Sequence, residues 1–212
     1  MVDLVGFVSS IVKGEISKTV DLTRQALDMR LSAKEILDNG LIRAMDIVGS
    51  QFEESEIFFP ELLMAAEAAE AALELLRPEL SKGEGTYTGK YVIGTVQGDV
   101  HDIGKNIVIL MLEGNGWEVT DLGVGVTPEK FCGAVEKGNF DILGLGAYLT
   151  MTMPKIAETI EALKATGLRD KVKIMVGGVS VTQDYADQIG ADGYAPDAPT
   201  AVKVAAALVG KS

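Results

Sequence analysis

Residues 1–80 show apolar positions that recur with the period of amphipathic helices. Leu4, Val8 and Ile11 fall on one face of the first predicted helix, and the same period continues through the segments that follow. Ser32 and Glu35 have the spacing of a capping box, which predicts the start of another helix. Four or five helices with short joints describe a small bundle.

The last helix of this bundle is bounded by two prolines in the sequence. Pro60 suits the first turn of a helix, and "ELLMAAEAAEAALELLRP" continues to Pro78, where the helix is predicted to stop. The stretch "SKGEGTYTGK" (81–90) follows and has no apolar pattern. Its composition predicts a flexible joint, with an ordinary loop as the alternative.

Short apolar runs replace the helical period after this joint. They read "YVIGTV", "WEVTDLGV", "ILGLGAY", "VKIMVGG" and the short "DGYA", and helix-length segments separate them. Strands that alternate with helices predict a parallel sheet covered by helices on both faces. We therefore expect two domains, a helical one over residues 1–88 and an α/β one over residues 89–212.

Charge and cysteine content exclude several classes of function. The net charge is −12, so we expect no binding to nucleic acid through surface charge. The apolar start "MVDLVGFVSSIVKG" lacks the basic region of a signal peptide, and no apolar run reaches the length of a membrane span, so we expect no membrane association. Cys132 is the only cysteine and cannot form an intrachain disulfide. These features favour a cytoplasmic location.

The stretch "GDVHDIGKN" (98–106) holds the only histidine of the chain, His101. It follows the first predicted strand, and ligands of such sheets bind beyond the carboxyl ends of the strands. A lone histidine between aspartates is also compatible with a merely solvated residue. One histidine and one cysteine cannot build a zinc site or an iron–sulfur cluster. A metal that brings most of its ligands in a macrocycle needs only one axial donor from the protein.

"DVHDIG" resembles the D-x-H-x-x-G signature of proteins that bind cobalamin with its lower base displaced by histidine. The later parts of that signature, S-x-L and a Gly-Gly pair, fall at 146–148 and 177–178. The chain departs from the family at the first of these, because Gly146 replaces serine and Tyr148 replaces leucine. In the family that serine contacts the displaced nucleotide tail. Either backbone groups, Tyr148 or water replace that contact here, or the chain binds a corrinoid with a different lower base. A further explanation of Gly146 is that the strand end needs a close backbone approach.

The resemblance covers nearly the whole chain, which is similar to the corrinoid proteins of three-component methyltransferase systems. These serve methanol, methylamines, betaines or methoxylated aromatics, and the cobalamin-binding module of methionine synthase is similar. The resemblance implies a helical cap domain followed by a flavodoxin-like (Rossmann-type) α/β domain with a five-stranded parallel sheet. It also implies that His101 binds cobalt, that Asp99 holds His101, and that Thr152 completes the chain of hydrogen bonds.

The resemblance implies a wider cofactor-binding set as well. In the α/β domain this set comprises Gly98, Asp99, Val100, His101, Asp102, Ile103, Gly104, Gly146, Tyr148, Leu149, Thr150, Thr152, Gly177, Gly178 and Tyr194. Gly177 and Gly178 would line the slot for the nucleotide tail, with a turn that needs positive φ as the alternative. In the helical domain Phe52, Phe59 and Leu62 would cover the upper face of the corrin, with ordinary bundle core as the alternative.

The function implied by the resemblance is that of a methyl carrier with no catalysis of its own. A cobalamin or related corrinoid would cycle between Co(I) and methyl-Co(III). The implied partners are a donor-specific methyltransferase, an acceptor methyltransferase that uses tetrahydrofolate or a thiol, and a reductive activase.

Other classes of protein fit the sequence less well. A phospho-receiver domain needs an aspartate at the end of the third strand, where this chain reads "GAYLT". A dinucleotide-binding domain needs a G-x-G-x-x-G turn, which "GDVHDIGKN" does not provide. A cobalamin-binding mutase subunit would lack the helical domain, and a cobalamin-based sensor would carry an output domain. These last two remain the alternatives to the methyl carrier.

Overall fold

A computed structural model describes residues 4–80 and 87–210 of the chain. They divide into two compact units. One is formed by the described residues up to 88 together with Leu110–Trp117, and the other by Gly89–Ile109 together with the described residues from 118 onward. Much of the proposed joint, residues 81–86, lies outside the described residues. None of the described residues forms a helix that is both long and apolar enough to cross a bilayer.

The first unit is helical, as its sequence pattern predicts. Its helices are α1 (Leu4–Val12), α2 (Ile16–Asp28), α3 (Ala33–Ile36), α4 (Arg43–Glu53) and α5 (Phe59–Leu80), and a π-helical turn (Leu37–Ile42) joins α3 to α4. Their apolar faces form a core that includes Phe7, Ile11, Ile36, Leu37, Leu41, Met45, Leu73 and Leu76.

Two local predictions for this unit meet different outcomes. The hydroxyl of Ser32 accepts a hydrogen bond of 3.1 Å from the backbone N–H of Glu35, which confirms the predicted helix start. The predicted stop at Pro78 is wrong, because α5 continues to Leu80. A proline so close to the end of a helix removes only one backbone hydrogen bond, and the helix tolerates that loss in its last turn.

The second unit is a five-stranded parallel sheet with the order β2-β1-β3-β4-β5, which confirms the predicted flavodoxin-like fold. Its elements are β1 (Lys90–Thr95), α6 (Ile103–Gly114), β2 (Glu118–Asp121), α7 (Pro128–Lys137), β3 (Ile142–Gly146), α8 (Pro154–Ala165), a 3₁₀ turn (Arg169–Lys171), β4 (Lys173–Gly177), α9 (Gln183–Ile189), β5 (Gly193–Ala195) and α10 (Ala198–Leu208). The second half of α6 clusters with the helical unit.

A large hydrophobic cluster fixes the strands of this sheet. Residues of β1, β3 and β4 contribute to it together with α7, α8 and α9, and its fully buried members include Phe131, Leu143, Ile160 and Ile174. The register then places Thr95, Gly146 and Gly177 in one row across the sheet, at the carboxyl ends of three adjacent strands. The chain reverses strand order beside β1, so the loop after β1 opens at the switch point of the sheet.

Candidate functional site

The carboxylate of Asp99 is the centre of the site, and it is fully buried in the loop between β1 and α6. Its Oδ1 accepts two hydrogen bonds from His101, one of 2.8 Å from ring Nδ1 and one of 3.1 Å from the backbone N–H. Its Oδ2 accepts hydrogen bonds from the backbone N–H of Tyr148 at 2.7 Å and of Leu149 at 3.3 Å, and one of 2.7 Å from the hydroxyl of Thr152. One carboxylate thus joins the loops that follow β1 and β3.

These hydrogen bonds keep Asp99 ionised. Burial alone raises the pKa of the carboxyl group, but the donors from Tyr148, Thr152 and His101 outweigh it and lower the pKa to about 2. A carboxylate can only accept hydrogen bonds, so Nδ1 of His101 carries the proton of the neutral ring. Nε2 then carries the lone pair. The His101 side chain is 51% exposed, which leaves this nitrogen accessible to a ligand.

Thr95 also holds the loop between β1 and α6, and this role was not predicted from the sequence. Its buried hydroxyl donates a 2.9 Å hydrogen bond to the carbonyl of Asp99 and accepts one of 3.3 Å from the backbone N–H of Gly125. Gly125 N–H also lies 2.8 Å from the Asp99 carbonyl. The loop between β1 and α6 is therefore fixed at both the side chain and the carbonyl of Asp99. A threonine at a strand end is too common a feature to predict this role.

The loops at this edge of the sheet carry exposed apolar side chains. In the described part of the second unit, every large hydrophobic residue that is exposed follows the carboxyl end of β1, β2, β3 or β4: Val100, Ile103, Val124, Leu149, Met151 and Val179. The most exposed of them, Val179, is 90% accessible. Exposed apolar side chains concentrated at one edge of the sheet fit a broad, largely apolar ligand.

Tyr148 lies beside His101, with ring centroids 5.9 Å apart and an angle of 39° between the planes. Burial, together with the negative charges of Asp99 and Asp102, raises the pKa of Tyr148 to about 12, so its hydroxyl stays protonated. Its ring packs against Gly104 at the start of α6. Asp102 itself is exposed.

At both glycines that end β4, a side chain would meet a backbone carbonyl. A Cβ atom on Gly178 would collide with the backbone carbonyl of Ala147, and the φ of Gly178 is +115°. The fold itself therefore requires glycine there, and a role in the tail slot stays a prediction. A Cβ atom on Gly177 would lie 2.8 Å from the carbonyl oxygen of Ala195.

The other residues predicted to contact the cofactor differ in how exposed their side chains are. Gly98 and Thr150 are exposed in the same loops as His101 and Thr152. Tyr194 of β5 is half-buried and packs against the hydrophobic cluster of the sheet. In the helical unit Leu62 is buried, whereas Phe59 is 45% exposed and Phe52 is half-buried. Their predicted role over the corrin stays a prediction.

A metal site made of protein ligands alone is not present among residues 4–80 and 87–210, where no cluster of three His, Cys, Asp or Glu side chains forms. Lys105, which directly follows Gly104, is 3% exposed and pairs with Asp121 at 2.6 Å. It joins the start of α6 to the end of β2. The described site thus offers one accessible nitrogen ligand on a rigid support, surrounded by apolar loops.

Comparisons with known proteins identify the family of this chain. A family described as a B12 binding domain matches residues 89–203, and a second one with the same description matches residues 5–77. A corrinoid protein of Desulfitobacterium hafniense is 41% identical over 95% of this chain and 95% of its own length. Dimethylamine corrinoid protein 1 of Methanosarcina acetivorans is also 41% identical, over 98% of this chain and 96% of its own length.

A solved structure agrees with these sequence matches. The methanol:cobalamin methyltransferase complex MtaBC from Methanosarcina barkeri contains a chain that superposes with a TM-score of 0.83 at 31% identity, covering 99% of this chain and 80% of that one. The fold and the predicted class of cofactor, a corrinoid, are confirmed by these matches. The chain therefore belongs to the family of B12-binding corrinoid proteins of methyltransferase systems.

Proposed function

We propose that this chain is a methyl carrier whose corrinoid is held through Nε2 of His101. The observation that carries the proposal is the hydrogen bond of 2.8 Å between Nδ1 of His101 and the buried carboxylate of Asp99. A proton on Nδ1 leaves the lone pair of Nε2 free, which a metal ligand needs, and the contact with Asp99 orients the ring. When bound, the cobalt of the corrinoid supplies the centre that accepts and releases the methyl group.

The chain's own residues contribute orientation and control of one proton. Asp99 keeps the proton at Nδ1, and the N–H groups of Tyr148 and Leu149 with the hydroxyl of Thr152 keep Asp99 ionised and in place. Protonation of this network would weaken the histidine as a ligand, since Nε2 binds a metal best when the other nitrogen faces a carboxylate. The exposed apolar loops would cover one face of the macrocycle and exclude water from it.

The proposed partners are a donor methyltransferase, an acceptor methyltransferase that uses tetrahydrofolate or a thiol, and a reductive activase. Similarity to a dimethylamine corrinoid protein and to a methanol methyltransferase complex supports this assignment. A cytoplasmic location is part of the proposal, because the one cysteine, Cys132, is a buried free thiol and a reducing compartment suits it.

Transfer of a labelled methyl group tests the proposed function. Corrinoid-loaded protein is first reduced chemically to the Co(I) state, which supplies the electron pair of the new cobalt–carbon bond. It is then mixed with labelled dimethylamine or methanol and the matching donor methyltransferase, and the chain is separated and counted. We expect label on the loaded protein and none on the cofactor-free protein. A subsequent acceptor methyltransferase should remove that label. Loaded protein that gains no label from any methyl donor would contradict the carrier function.

A His101→Ala variant separates the ligand from the rest of the site. Its methyl-corrinoid absorption spectrum should differ from that of wild type, because the axial nitrogen is lost. The matched control is Asp170→Asn, which changes one exposed residue in the 3₁₀ turn before β4. A variant spectrum identical to that of wild type would refute the assignment of His101.

A further inference from the structure

The ring of Tyr148 fills the space between two glycines that belong to different elements. A Cβ atom built on Gly104 would lie 2.7 Å from Cε1 and 2.9 Å from Cζ of Tyr148, and it would also meet the hydroxyl oxygen. A Cβ atom built on Gly146 would lie 3.6 Å from Cε2, on the opposite edge of the ring. The ring of Tyr148 therefore lies against the backbone at both the start of α6 and the end of β3.

Packing does not force glycine at position 146. A Cβ atom there would make ordinary contacts, the nearest being 3.5 Å from the methyl group of Thr95. At Gly104, by contrast, any side chain would collide with Tyr148 as it now lies. The space between Gly104 and Gly146 is therefore occupied by the ring of Tyr148.

This space adjoins the proposed metal ligand, since the rings of Tyr148 and His101 are 5.9 Å apart. If His101 takes the lower axial position of a corrinoid, the substituent that it displaces still hangs from the lower face of the macrocycle. A tail displaced in this way would need room in the protein beside His101, and the ring of Tyr148 lies beside His101.

Resting on the proposed function, we propose that Tyr148 determines which corrinoids this chain accepts. Its ring competes with the nucleotide tail for the slot between Gly104 and Gly146. A corrinoid with a bulky lower base must displace a half-buried aromatic ring, whereas a corrinoid without the tail leaves the ring in place. The chain thus discriminates against bulky lower bases relative to tail-less corrinoids.

Comparing two ligands on three proteins tests this proposal. Cofactor-free wild type, Tyr148→Leu and Tyr148→Phe are titrated with cobalamin and with cobinamide, which has the same ring system without the nucleotide tail, and binding is followed by absorption. We expect Tyr148→Leu to raise the ratio of cobalamin affinity to cobinamide affinity on the order of tenfold to a hundredfold, given the apolar area of an aromatic ring. Tyr148→Phe keeps the ring and should stay near the wild-type ratio.

The outcomes distinguish this proposal from the proposed function. If both corrinoids bind and Tyr148→Leu keeps the wild-type ratio of cobalamin affinity to cobinamide affinity, Tyr148 does not select between corrinoids. The proposed corrinoid binding is unaffected by that result. If neither corrinoid binds any of the three proteins, the proposed function fails and the selector fails with it. Cobinamide binding also reports whether the leucine variant is folded. Should that binding be lost in the leucine variant alone, Tyr148→Met, which has no ring, is used with the same expectation.

Discussion

Replacing Asp99 with asparagine should leave the chain folded but reverse the proton arrangement of His101. An amide has one acceptor oxygen, and three donors converge on Oδ2 of Asp99, against two on Oδ1. The amide oxygen therefore takes the Oδ2 position, and the NH₂ group faces His101. Nδ1 must then accept a hydrogen bond, so the proton moves to Nε2 and blocks the proposed metal ligand.

The expected loss of stability in Asp99→Asn follows from the hydrogen bonds that change. Two charge-assisted hydrogen bonds from His101 are lost or reversed, and the three that remain lose their charged acceptor. A hydrogen bond to a charged group contributes about 1.5–3 kcal/mol, and part of this is recovered by the new amide contacts. We expect Asp99→Asn to lower the free energy of unfolding by about 2–4 kcal/mol, and corrinoid affinity to fall by about 10–100-fold, as for other partners of metal-binding histidines.

Urea unfolding of the cofactor-free protein measures the first effect, and corrinoid titration followed by absorption measures the second. Asp170→Asn is the matched control, because it removes one carboxylate from an exposed position. Its stability should stay within about 0.5 kcal/mol of wild type. An Asp99→Asn protein with the stability and corrinoid affinity of wild type would refute the proposed role of the carboxylate.

Three further predictions concern the support of the site. Thr152→Val should lower the free energy of unfolding by about 1 kcal/mol, measured in urea, because its hydrogen bond to Asp99 is lost. Thr152→Ser keeps the hydroxyl and should retain most of the wild-type stability; equal stability of the two variants would contradict the contact. The pKa of Asp99 lies below its ordinary value of 3.8, at about 2, so its ionised form stabilises the fold fully above about pH 4, and this contribution is lost as the pH falls toward 2. The ionised carboxylate contributes about 1–2 kcal/mol to the free energy of unfolding, once solvent screening at the half-exposed His101 is taken into account. Asp99→Asn should lack this loss of stability in acid, and acid unfolding curves of the same shape for the variant and wild type would contradict the prediction. Gly178→Ala should lower the melting temperature far more than Gly146→Ala, because only the former collides with the backbone of Ala147, and equal melting temperatures would contradict that geometry.

Hydrophobic periodicity predicted most of the fold because core burial decides the type of each element. The change from helical period to short apolar runs marks the end of the helices of the first unit and the first strand of the sheet. Element ends were less predictable. The run "WEVTDLGV" forms a strand only over Glu118–Asp121, since Gly123 and Gly125 then turn the chain with positive φ. The π-helical turn at Leu37–Ile42 has no marker in the apolar pattern.

The site was predictable where one short motif holds its chemistry. Asp99 and His101 lie two positions apart in the sequence, and the resemblance added Thr152, which the fold brings to 2.7 Å from Asp99. The contact of Tyr148 with Gly104 was not predictable, because the two residues meet only after β1 and β3 pair in the sheet. The apolar loops that surround His101 come from four separate connections, so no local pattern shows them as one surface.

The proposed bond between His101 and cobalt is tested most directly by electron paramagnetic resonance of the loaded protein in its Co(II) form. A single axial nitrogen splits the cobalt lines, and because the chain has one histidine, growth on ¹⁵N-histidine labels this ring alone. If Nε2 of His101 binds cobalt, the nitrogen splitting changes from triplets in unlabelled protein to doublets in labelled protein. Triplets that persist in the labelled protein, which would come from the corrinoid's own base, or the absence of any axial nitrogen splitting would contradict the assignment.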